Sequence, residues 1–197
     1  ASGDRDHAIM NIVTSAFGNA GQKCSACSLL LVERSVYEDE NFRSKLKDAA
    51  TSLKTGSVWN AGNIVGPMIT NKNDKLLQAF NLEPGESWLV PPRFIDRREY
   101  ILAPTVKWGV KPESFSFRTE LFGPLLSVAC IENLEEGIRL VNGLDYGLTS
   151  GLQSLDEKEQ KLWKNSVMAG NLYINRGITG AIVNRQPFGG MKLSAFG

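Results

Sequence analysis

The sequence predicts an α/β fold: an open, largely parallel, twisted sheet with flanking helices. Two observations indicate it. Short apolar runs, typical of buried strands, alternate along the chain with amphipathic segments of about ten residues or more, typical of helices. The 197 residues, 42% hydrophobic and 22% charged, are enough for one domain with a substantial core. We therefore expect one compact domain whose parallel strands are joined by right-handed crossovers.

The first third of the chain contains two predicted helices and one predicted strand. Over residues 5–17 the apolar residues recur at spacings of one, three and four, as in a helix with one buried face. Residues 28–33 form a short apolar run, which is typical of a buried strand. Residues 36–53 place apolar side chains on one side of a helix, and we expect Gly56 to end that helix.

Helices and strands alternate again after an irregular stretch over residues 57–98, which is rich in Asn, Gly and Pro and includes one short helix near 71–80. The later predicted elements follow in chain order. They are strands over 100–106 and 126–131, a helix over 133–143 ending at Gly143, a strand over 148–153, a charged amphipathic helix over 156–168, the last strand over 171–175, and an ordered Gly-rich loop over 177–197.

Charge and composition exclude several classes of function. A formal net charge of +1 and the absence of Lys/Arg runs give no reason to expect a nucleic-acid partner. No stretch approaches the roughly 18 apolar residues of a membrane span, and the polar amino terminus does not resemble a signal peptide. We therefore expect a cytoplasmic protein, or a mitochondrial matrix protein if the source is eukaryotic.

The three cysteines support this compartment, because an odd number makes a poor disulfide framework. Cys24 and Cys27 are close enough for half of a zinc site, but only Cys130 and His7 remain as further ligands, at no ligand spacing. We expect no metal. His7, the only histidine, lies at a helix start and is interpreted as a solvated or capping residue, so Cys–His protease chemistry is excluded.

Cys24 is the candidate nucleophile. It follows Gly18 and Gly21 on a turn before a strand, where a glycine-rich backbone can bend sharply and present the sulfur. The alternative is a buried structural cysteine. Cys27, next to the strand, and Cys130, inside an apolar run, are interpreted as packing residues.

Four segments together resemble the aldehyde dehydrogenase superfamily. Their order and spacing matter more than any one of them, and the resemblance covers nearly the whole chain. The segments are Gly-Gln-Lys-Cys at 21–24, Glu-Leu-Phe-Gly-Pro at 120–124, Asp-Tyr-Gly-Leu-Thr-Ser-Gly-Leu at 145–152 and Pro-Phe-Gly-Gly-Met-Lys-Leu-Ser at 187–194.

The resemblance implies that residues 1–197 are the thiol-bearing catalytic domain. The family's nucleotide-binding domain, its general base and its carboxy-terminal oligomerisation strand are expected to lie outside this chain. It also implies NAD as the cofactor, bound mainly by that other domain. Within this chain Glu120 would hydrogen-bond the ribose hydroxyls and Phe122 would lie against the nicotinamide. Without the resemblance, Glu120 is an ordinary solvated carboxylate and Phe122 a core residue.

A finer resemblance is to the glutamate semialdehyde dehydrogenases, including those fused to proline dehydrogenase in bacterial proline-utilization proteins. Ser25 directly follows Cys24, and Thr179-Gly180-Ala181 precedes Gln186-Pro187-Phe188 at that group's interval. The resemblance implies that Ser25, Gly180, Ala181 and Phe188 hold the substrate. A hydroxyl and backbone N–H groups suit its carboxylate end.

The resemblance implies oxidation of L-glutamate γ-semialdehyde, formed from 1-pyrroline-5-carboxylate, to L-glutamate in proline catabolism through a Cys24 thioester. The isolated chain is expected to be inactive. Its expected partners are a small aldehyde substrate, the missing nucleotide-binding domain and further copies in a homo-oligomer, with fusion to proline dehydrogenase left open. The alternatives are an aldehyde dehydrogenase for another substrate class and a non-catalytic assembly domain of the same fold.

Overall fold

A computed structural model describes residues 2–70, 72–182 and 184–196 of the chain. The helices are α1 (Arg5–Phe17), α2 (Arg34–Tyr37), α3 (Glu40–Ser52), α4 (Asp74–Gln78), α5 (Phe115–Arg118), α6 (Leu134–Asn142) and α7 (Glu157–Ser166). The strands are β1 (Leu29–Glu33), β2 (Ser87–Val90), β3 (Phe94–Asp96), β4 (Ile101–Leu102), β5 (Thr105–Trp108), β6 (Leu125–Ile131), β7 (Tyr146–Gly147), β8 (Thr149–Leu152), β9 (Asn171–Ile174) and β10 (Met191–Lys192).

The main sheet has the strand order β1-β6-β5-β2. Strand β6 pairs in parallel with β1 on one side, Leu29 opposite Ser127, and with β5 on the other, Thr105 opposite Leu125. Strand β2 is antiparallel at the edge. A second parallel pair, β8–β9, follows later in the chain. The predicted α/β fold with a largely parallel sheet and flanking helices is confirmed.

The main sheet is buried on both faces, which explains the continuous apolar run of β1. Leu30 and Val32 pack into a large cluster with α1 and α3, whereas Leu29 and Leu31 pack on the opposite side against a cluster containing Phe117. Alternate residues of a strand point to opposite faces, so a strand covered on both sides is apolar at every position.

The longer helices begin where an Asp or Asn side chain accepts a hydrogen bond from a first-turn backbone N–H group, as expected for helix caps. The capping residues are Asp4, Asp39, Asn73, Asn133 and Asp156. In the part of the chain that the structure describes, none of the helices combines the length and apolar character needed to cross a bilayer.

The prediction of one helix over residues 36–53 was wrong. The chain forms α2 and then α3, because Asp39 adopts an extended conformation and its side chain caps α3 by accepting from Asn41 N. The apolar positions of both helices pack into the same core, so the helical spacing in the sequence spans the break. Helix α3 also ends at Ser52, before the predicted terminator Gly56.

Three other predicted elements differ from the structure. The strand over 100–106 is two strands, β4 and β5, on either side of Ala103-Pro104, and proline has no N–H for a ladder. The irregular stretch 57–98 contains β2 and β3, and the loop over 177–197 contains β10. Strands β2, β3 and β10 have only two to four residues, too few for local periodicity to reveal them.

Candidate active site

Cys24 lies on a tight turn between α1 and β1. The turn spans Lys23–Ala26 and is closed by a hydrogen bond of 3.0 Å from Ala26 N to Lys23 O. Cys24 and Ser25 are its central residues, and the Cys24 side chain is exposed. Among the described residues the backbone N–H of Cys24 has no acceptor. The turn therefore presents the sulfur and one free N–H donor together.

The backbone before the turn is left-handed. Asn19, Ala20 and Gly21 have φ angles of 56°, 54° and 66°, which abruptly change the chain direction after α1. The Asn19 side chain donates to Gln22 O at 3.2 Å, and Gln22 N donates to Asn19 O at 3.0 Å. Left-handed residues other than glycine are costly, so this local bonding holds a strained segment beside Cys24.

Gly21 brings the Lys23–Ala26 turn against the Glu-Leu-Phe-Gly-Pro segment at 120–124. A Cβ on Gly21 would lie only 2.4 Å from Gly123 O, so no larger residue fits there. The Gln22 side chain donates to Phe122 O at 3.1 Å and accepts from Ile69 N at 2.9 Å. Gln22 thus joins three loops around Cys24.

Hydrogen bonds to backbone carbonyls hold the Phe122 segment in place. Phe122 has a φ of 47°, and its carbonyl accepts from Gln22, while Asn73 Nδ2 donates to Leu121 O at 2.7 Å. The ring is 37% exposed. Glu120 is exposed, and its carboxylate has no partner among the described residues. Cys24, Glu120 and Phe122 all line one cavity of about 600 Å³, a volume typical of ligand sites.

The other predicted residues lie outside that cavity's lining. Ser25 is 7% exposed and its hydroxyl has no partner among the described residues. Gly180 is exposed with a φ of 95°, and a Cβ there would meet open space. Ala181 is half-buried and Phe188 is 46% exposed. The structure therefore brings together three of the seven predicted residues in one cavity.

The segment carrying Phe188 is docked on strand β9 and on the 145–152 segment. Asn171 Nδ2 donates to Gly189 O at 2.6 Å, and a Cβ on Gly170 would lie 1.9 Å from the same oxygen. The Ser194 hydroxyl accepts from Gly147 N at 3.0 Å. Of the four sequence segments, 187–194 thus packs against 145–152. The other two, 21–24 and 120–124, pack against each other around Cys24.

The other two thiols have packing environments. Burial raises the pKa of Cys27 to about 12, and its Sγ donates to Leu29 O at 3.5 Å. Burial also raises the pKa of Cys130, which lies in β6. Both pKa values work against thiolate formation, and the thiolate is the nucleophilic form. The interpretation of these two cysteines as packing residues agrees with these surroundings.

His7 is exposed at the start of α1. Its backbone N–H donates to Asp4 Oδ1 at 2.9 Å, and its ring Nε2 is 3.0 Å from Asn175 O. The ring thus contacts the end of β9, a contact that the sequence did not predict. Within the described ranges no three His, Cys, Asp or Glu side chains come together as a metal site requires.

Sequence reasoning missed two residues near the site. Gln22 lies inside a quoted segment, but its side-chain contacts are with loops about 47 and 100 residues away. Ser15 is a polar residue, 2% exposed, on the buried face of α1. A lone serine among Ile12, Val13 and Ala16 was the available signal, because a buried hydroxyl requires a partner.

Comparisons with known proteins identify the family of the chain. A profile of the aldehyde dehydrogenase family matches residues 1–197. The 1-pyrroline-5-carboxylate dehydrogenase of Staphylococcus haemolyticus is 36% identical over 195 residues, covering 97% of this chain and 37% of that protein. The chain therefore spans little more than a third of the length of this curated relative.

Two solved structures share the fold. Proline utilization A from Corynebacterium freiburgense superposes with a TM-score of 0.93 at 43% identity, covering 100% of this chain and 20% of that one. The 1-pyrroline-5-carboxylate dehydrogenase from Thermus, solved with bound NAD, gives a TM-score of 0.89 at 33% identity, covering 98% of this chain and 37% of that one.

Proposed function

The chain belongs to the aldehyde dehydrogenase family, and from that premise we propose that it is the thiol-bearing catalytic domain of an NAD-dependent L-glutamate γ-semialdehyde dehydrogenase. One observation carries the proposal: an exposed Cys24 shares a cavity of about 600 Å³ with Glu120 and Phe122. The relative named 1-pyrroline-5-carboxylate dehydrogenase, at 36% identity, supports the choice of substrate.

Cys24 forms the covalent bond to substrate. Its Sγ attacks the aldehyde carbon, and the thiol proton passes to the carbonyl oxygen or to solvent, giving a thiohemiacetal. Loss of the carbon-bound hydrogen as hydride, and of the hydroxyl proton, leaves a thioester on Cys24. Water then attacks the thioester carbon and the carbon–sulfur bond breaks, which releases the product as a carboxylate. One water proton returns to the sulfur and the other passes to solvent.

The backbone N–H of Cys24 is the oxyanion donor. It has no acceptor among the described residues and belongs to the residue that carries the sulfur. An N–H fixed by a closed turn is already oriented when negative charge develops on the substrate oxygen, so it stabilises the transition state more than the ground state.

The residues facing the cavity fit NAD. Glu120 offers a carboxylate, unpartnered among the described residues, that can accept from two ribose hydroxyls, and the exposed Phe122 ring offers an apolar face to the nicotinamide. When bound, NAD⁺ supplies the acceptor for the hydride. Most of its contacts are assigned to a nucleotide-binding domain outside residues 1–197.

The substrate's amino acid end is assigned to Ser25, Gly180, Ala181 and Phe188. Ser25 is 7% exposed with a hydroxyl that no described residue engages, and exposed Gly180 leaves room for a ligand beside its backbone. Backbone N–H groups and a hydroxyl bind a carboxylate without a compensating full charge. Phe188 would cover the aliphatic part of the substrate.

The complete protein is proposed to be a homo-oligomer that contains the general base, the nucleotide-binding domain and the oligomerisation strand in other segments. The chain is similar to a segment that makes up 20% of proline utilization A. This similarity supports fusion to proline dehydrogenase. The chain alone is then expected to lack turnover.

The test is NADH formation from glutamate semialdehyde and NAD⁺. The full-length protein should turn over, and Cys24→Ala should lower kcat by about a thousandfold or more because the covalent step is lost. Cys130→Ala, a thiol change in β6, should leave kcat within about twofold. The 197-residue chain alone should form no NADH.

Labelling checks the nucleophile independently. Limited iodoacetamide treatment followed by mass spectrometry should modify Cys24 before Cys27 and Cys130. Preferential labelling of Cys27, or turnover by Cys24→Ala, contradicts the proposal. Faster oxidation of an unrelated aldehyde indicates another substrate class, and a full-length protein without turnover on any aldehyde indicates an assembly domain.

A further inference from the structure

The carbonyl and the hydroxyl of Ser15 are both bonded to segments outside its own helix. Ser15 lies in the last turn of α1 and is 2% exposed. Its carbonyl accepts from Cys27 N at 3.0 Å, and its hydroxyl accepts from Ile178 N at 3.0 Å. Ile178 is 163 residues away in sequence, so this contact joins distant parts of the chain.

The carbonyl is free for this contact because α1 ends. The last four carbonyls of a helix have no partner within it. Gly18 N donates to Thr14 O, but Asn19 turns into the left-handed region and leaves Ser15 O without a helical donor. Cys27 N takes that place, so the end of α1 fixes the backbone two residues after Ser25.

The hydroxyl holds the second segment just as closely. Gly177 approaches Ser15 so tightly that a Cβ on this glycine would lie 3.1 Å from Ser15 Oγ. Ile178 precedes Gly180 by two residues, and a Cβ added to the exposed Gly180 would have no neighbour within 4 Å. The hydrogen bond to Ser15 therefore anchors the chain two residues before the exposed Gly180.

We propose that Ser15 is a positioning residue that sets the separation between Ser25 and the Gly180-Ala181 loop and so favours aldehydes carrying a carboxylate at the far end. The inference rests on the proposed function. Ser15 does not touch substrate. It holds two binding segments at a fixed distance, and a carboxylate bound by both requires that distance.

The first experiment measures the link itself by amide hydrogen exchange in the full-length protein. Ser15→Ala removes the hydroxyl and keeps the carbonyl. The Ile178 amide should exchange about tenfold faster or more, because its acceptor is lost, while the Cys27 amide keeps its protection. This difference separates loss of the anchor from general loosening of the fold.

Ser127→Ala is the matched control. Ser127 is fully buried in β6, and its hydroxyl donates to Ser116 O at 3.3 Å. This substitution also deletes one buried hydroxyl, but one that bonds to Ser116 and to neither of the two loops. It should leave the exchange of Ile178 unchanged. Equal exchange of Ile178 in the two variants overturns the proposed anchor.

The second experiment measures specificity in the full-length enzyme. Ser15→Ala should raise the KM for glutamate semialdehyde about tenfold and leave kcat within about twofold, because Cys24 is untouched. Pentanal has the same five carbons, with a methyl group in place of the carboxylate and no amino group. For pentanal both KM and kcat should be unchanged. If Ser15→Ala folds poorly, Gly177→Ala is the substitute test. It keeps the hydroxyl but pushes the loop away from it, so it should show the same pattern of kinetic changes.

The outcomes are distinguishable. A similar loss on both aldehydes, or a fall in kcat at constant KM, overturns the role of Ser15 in an enzyme that is otherwise as proposed. A wild-type enzyme that does not oxidise glutamate semialdehyde overturns the proposed function and, with it, the substrate class inferred for this anchor. Hydrogen exchange also separates two negative results. Unchanged exchange of Ile178 means that Ser15 does not anchor the loop, whereas faster exchange with unchanged kinetics means that the anchor exists but does not affect specificity.

Discussion

Cys24 and Cys27 are three residues apart and line the same cavity, yet they differ in burial. Cys24 is exposed at the centre of a turn, whereas burial raises the pKa of Cys27 to about 12. The difference arises because Cys27 N bonds to the end of α1 and draws that residue towards the core, while the Lys23–Ala26 turn keeps Cys24 outside. A single backbone turn thus separates an exposed thiol from one packed against the core.

Glu86 and Lys107 form a buried ion pair at the edge of the main sheet. Lys107 Nζ donates to Glu86 Oε2 and to Asn81 O, both at 2.9 Å, and both charged side chains are essentially inaccessible. Burial alone raises the pKa of Glu86. The hydrogen bonds from Glu83 N, Lys107 and Ser114 outweigh burial, so the pKa of the folded state is below its ordinary value.

Glu86→Gln should therefore lower the free energy of unfolding by about 3–5 kcal/mol at neutral pH, because it leaves Lys107 buried without its counter-charge. The wild-type contribution is present above the unfolded pKa of about 4.3 and is lost as pH falls through the lower folded pKa. Urea denaturation from pH 7 to pH 3 measures both effects.

Glu113→Gln, at an exposed position, is the control and should change stability by less than about 0.5 kcal/mol at any pH. The difference between wild type and Glu86→Gln should shrink towards acid pH. A difference that stays constant, or grows as the pH falls, contradicts an ionised Glu86 in the folded protein.

At the scale of elements, the turn after α1 restricts the sequence through both backbone conformation and contact. Gly21 has a φ of 66° and touches Gly123, whereas Gly18 has a φ of −55° and open space around it. Both glycines precede Cys24 and looked equivalent in the sequence. The structure shows that only one of them needs to be glycine.

Gly21→Ala should destabilise the chain by about 2–3 kcal/mol or more, because it adds left-handed strain and a clash with Gly123 O. It should also change the rate at which iodoacetamide modifies Cys24. Gly18→Ala should leave the labelling rate unchanged and stability within about 1 kcal/mol. Thermal denaturation and labelling kinetics check both variants, and equal behaviour of the two would refute the role given to Gly21.

At the scale of the molecule, the Gly-rich segment near the carboxyl end is docked by a close backbone contact. Gly170 lies against Gly189 O, Asn171 donates to the same oxygen, and Lys192 Nζ donates to carbonyls at the end of α6, including Asn142 O at 2.9 Å. The segment crosses from β9 to α6 and holds the second half of the chain together.

Gly170→Ala should release this segment, because a Cβ at 1.9 Å from Gly189 O forces the two backbones apart. Limited trypsin digestion should then cut at Lys192 markedly faster than in the wild type, since its side chain loses the α6 carbonyls. Gly189→Ala, with nothing within 4 Å of the added Cβ, is the control and should be cut at the wild-type rate. Unchanged cleavage of Gly170→Ala contradicts the docking role.

The sequence alone determined the fold class, because burial on both faces of β1 and β6 and on one face of α1 leaves a local pattern of apolar residues. It also indicated Cys24, since residue type and flanking glycines are local features. The short strands β2 and β10 and the break at Asp39 escaped it, because they depend on pairing and capping that apolar spacing does not record.

Only the tertiary structure decided which residues organise the site. Ser15 and Gln22 act through hydrogen bonds to Ile178, Phe122 and Ile69, and the distances in sequence range from 47 to 163 residues. A buried hydroxyl or amide needs a partner, but nothing in its own neighbourhood says which one. The sequence therefore indicates the candidate nucleophile, and the packing of distant loops decides what is held around it.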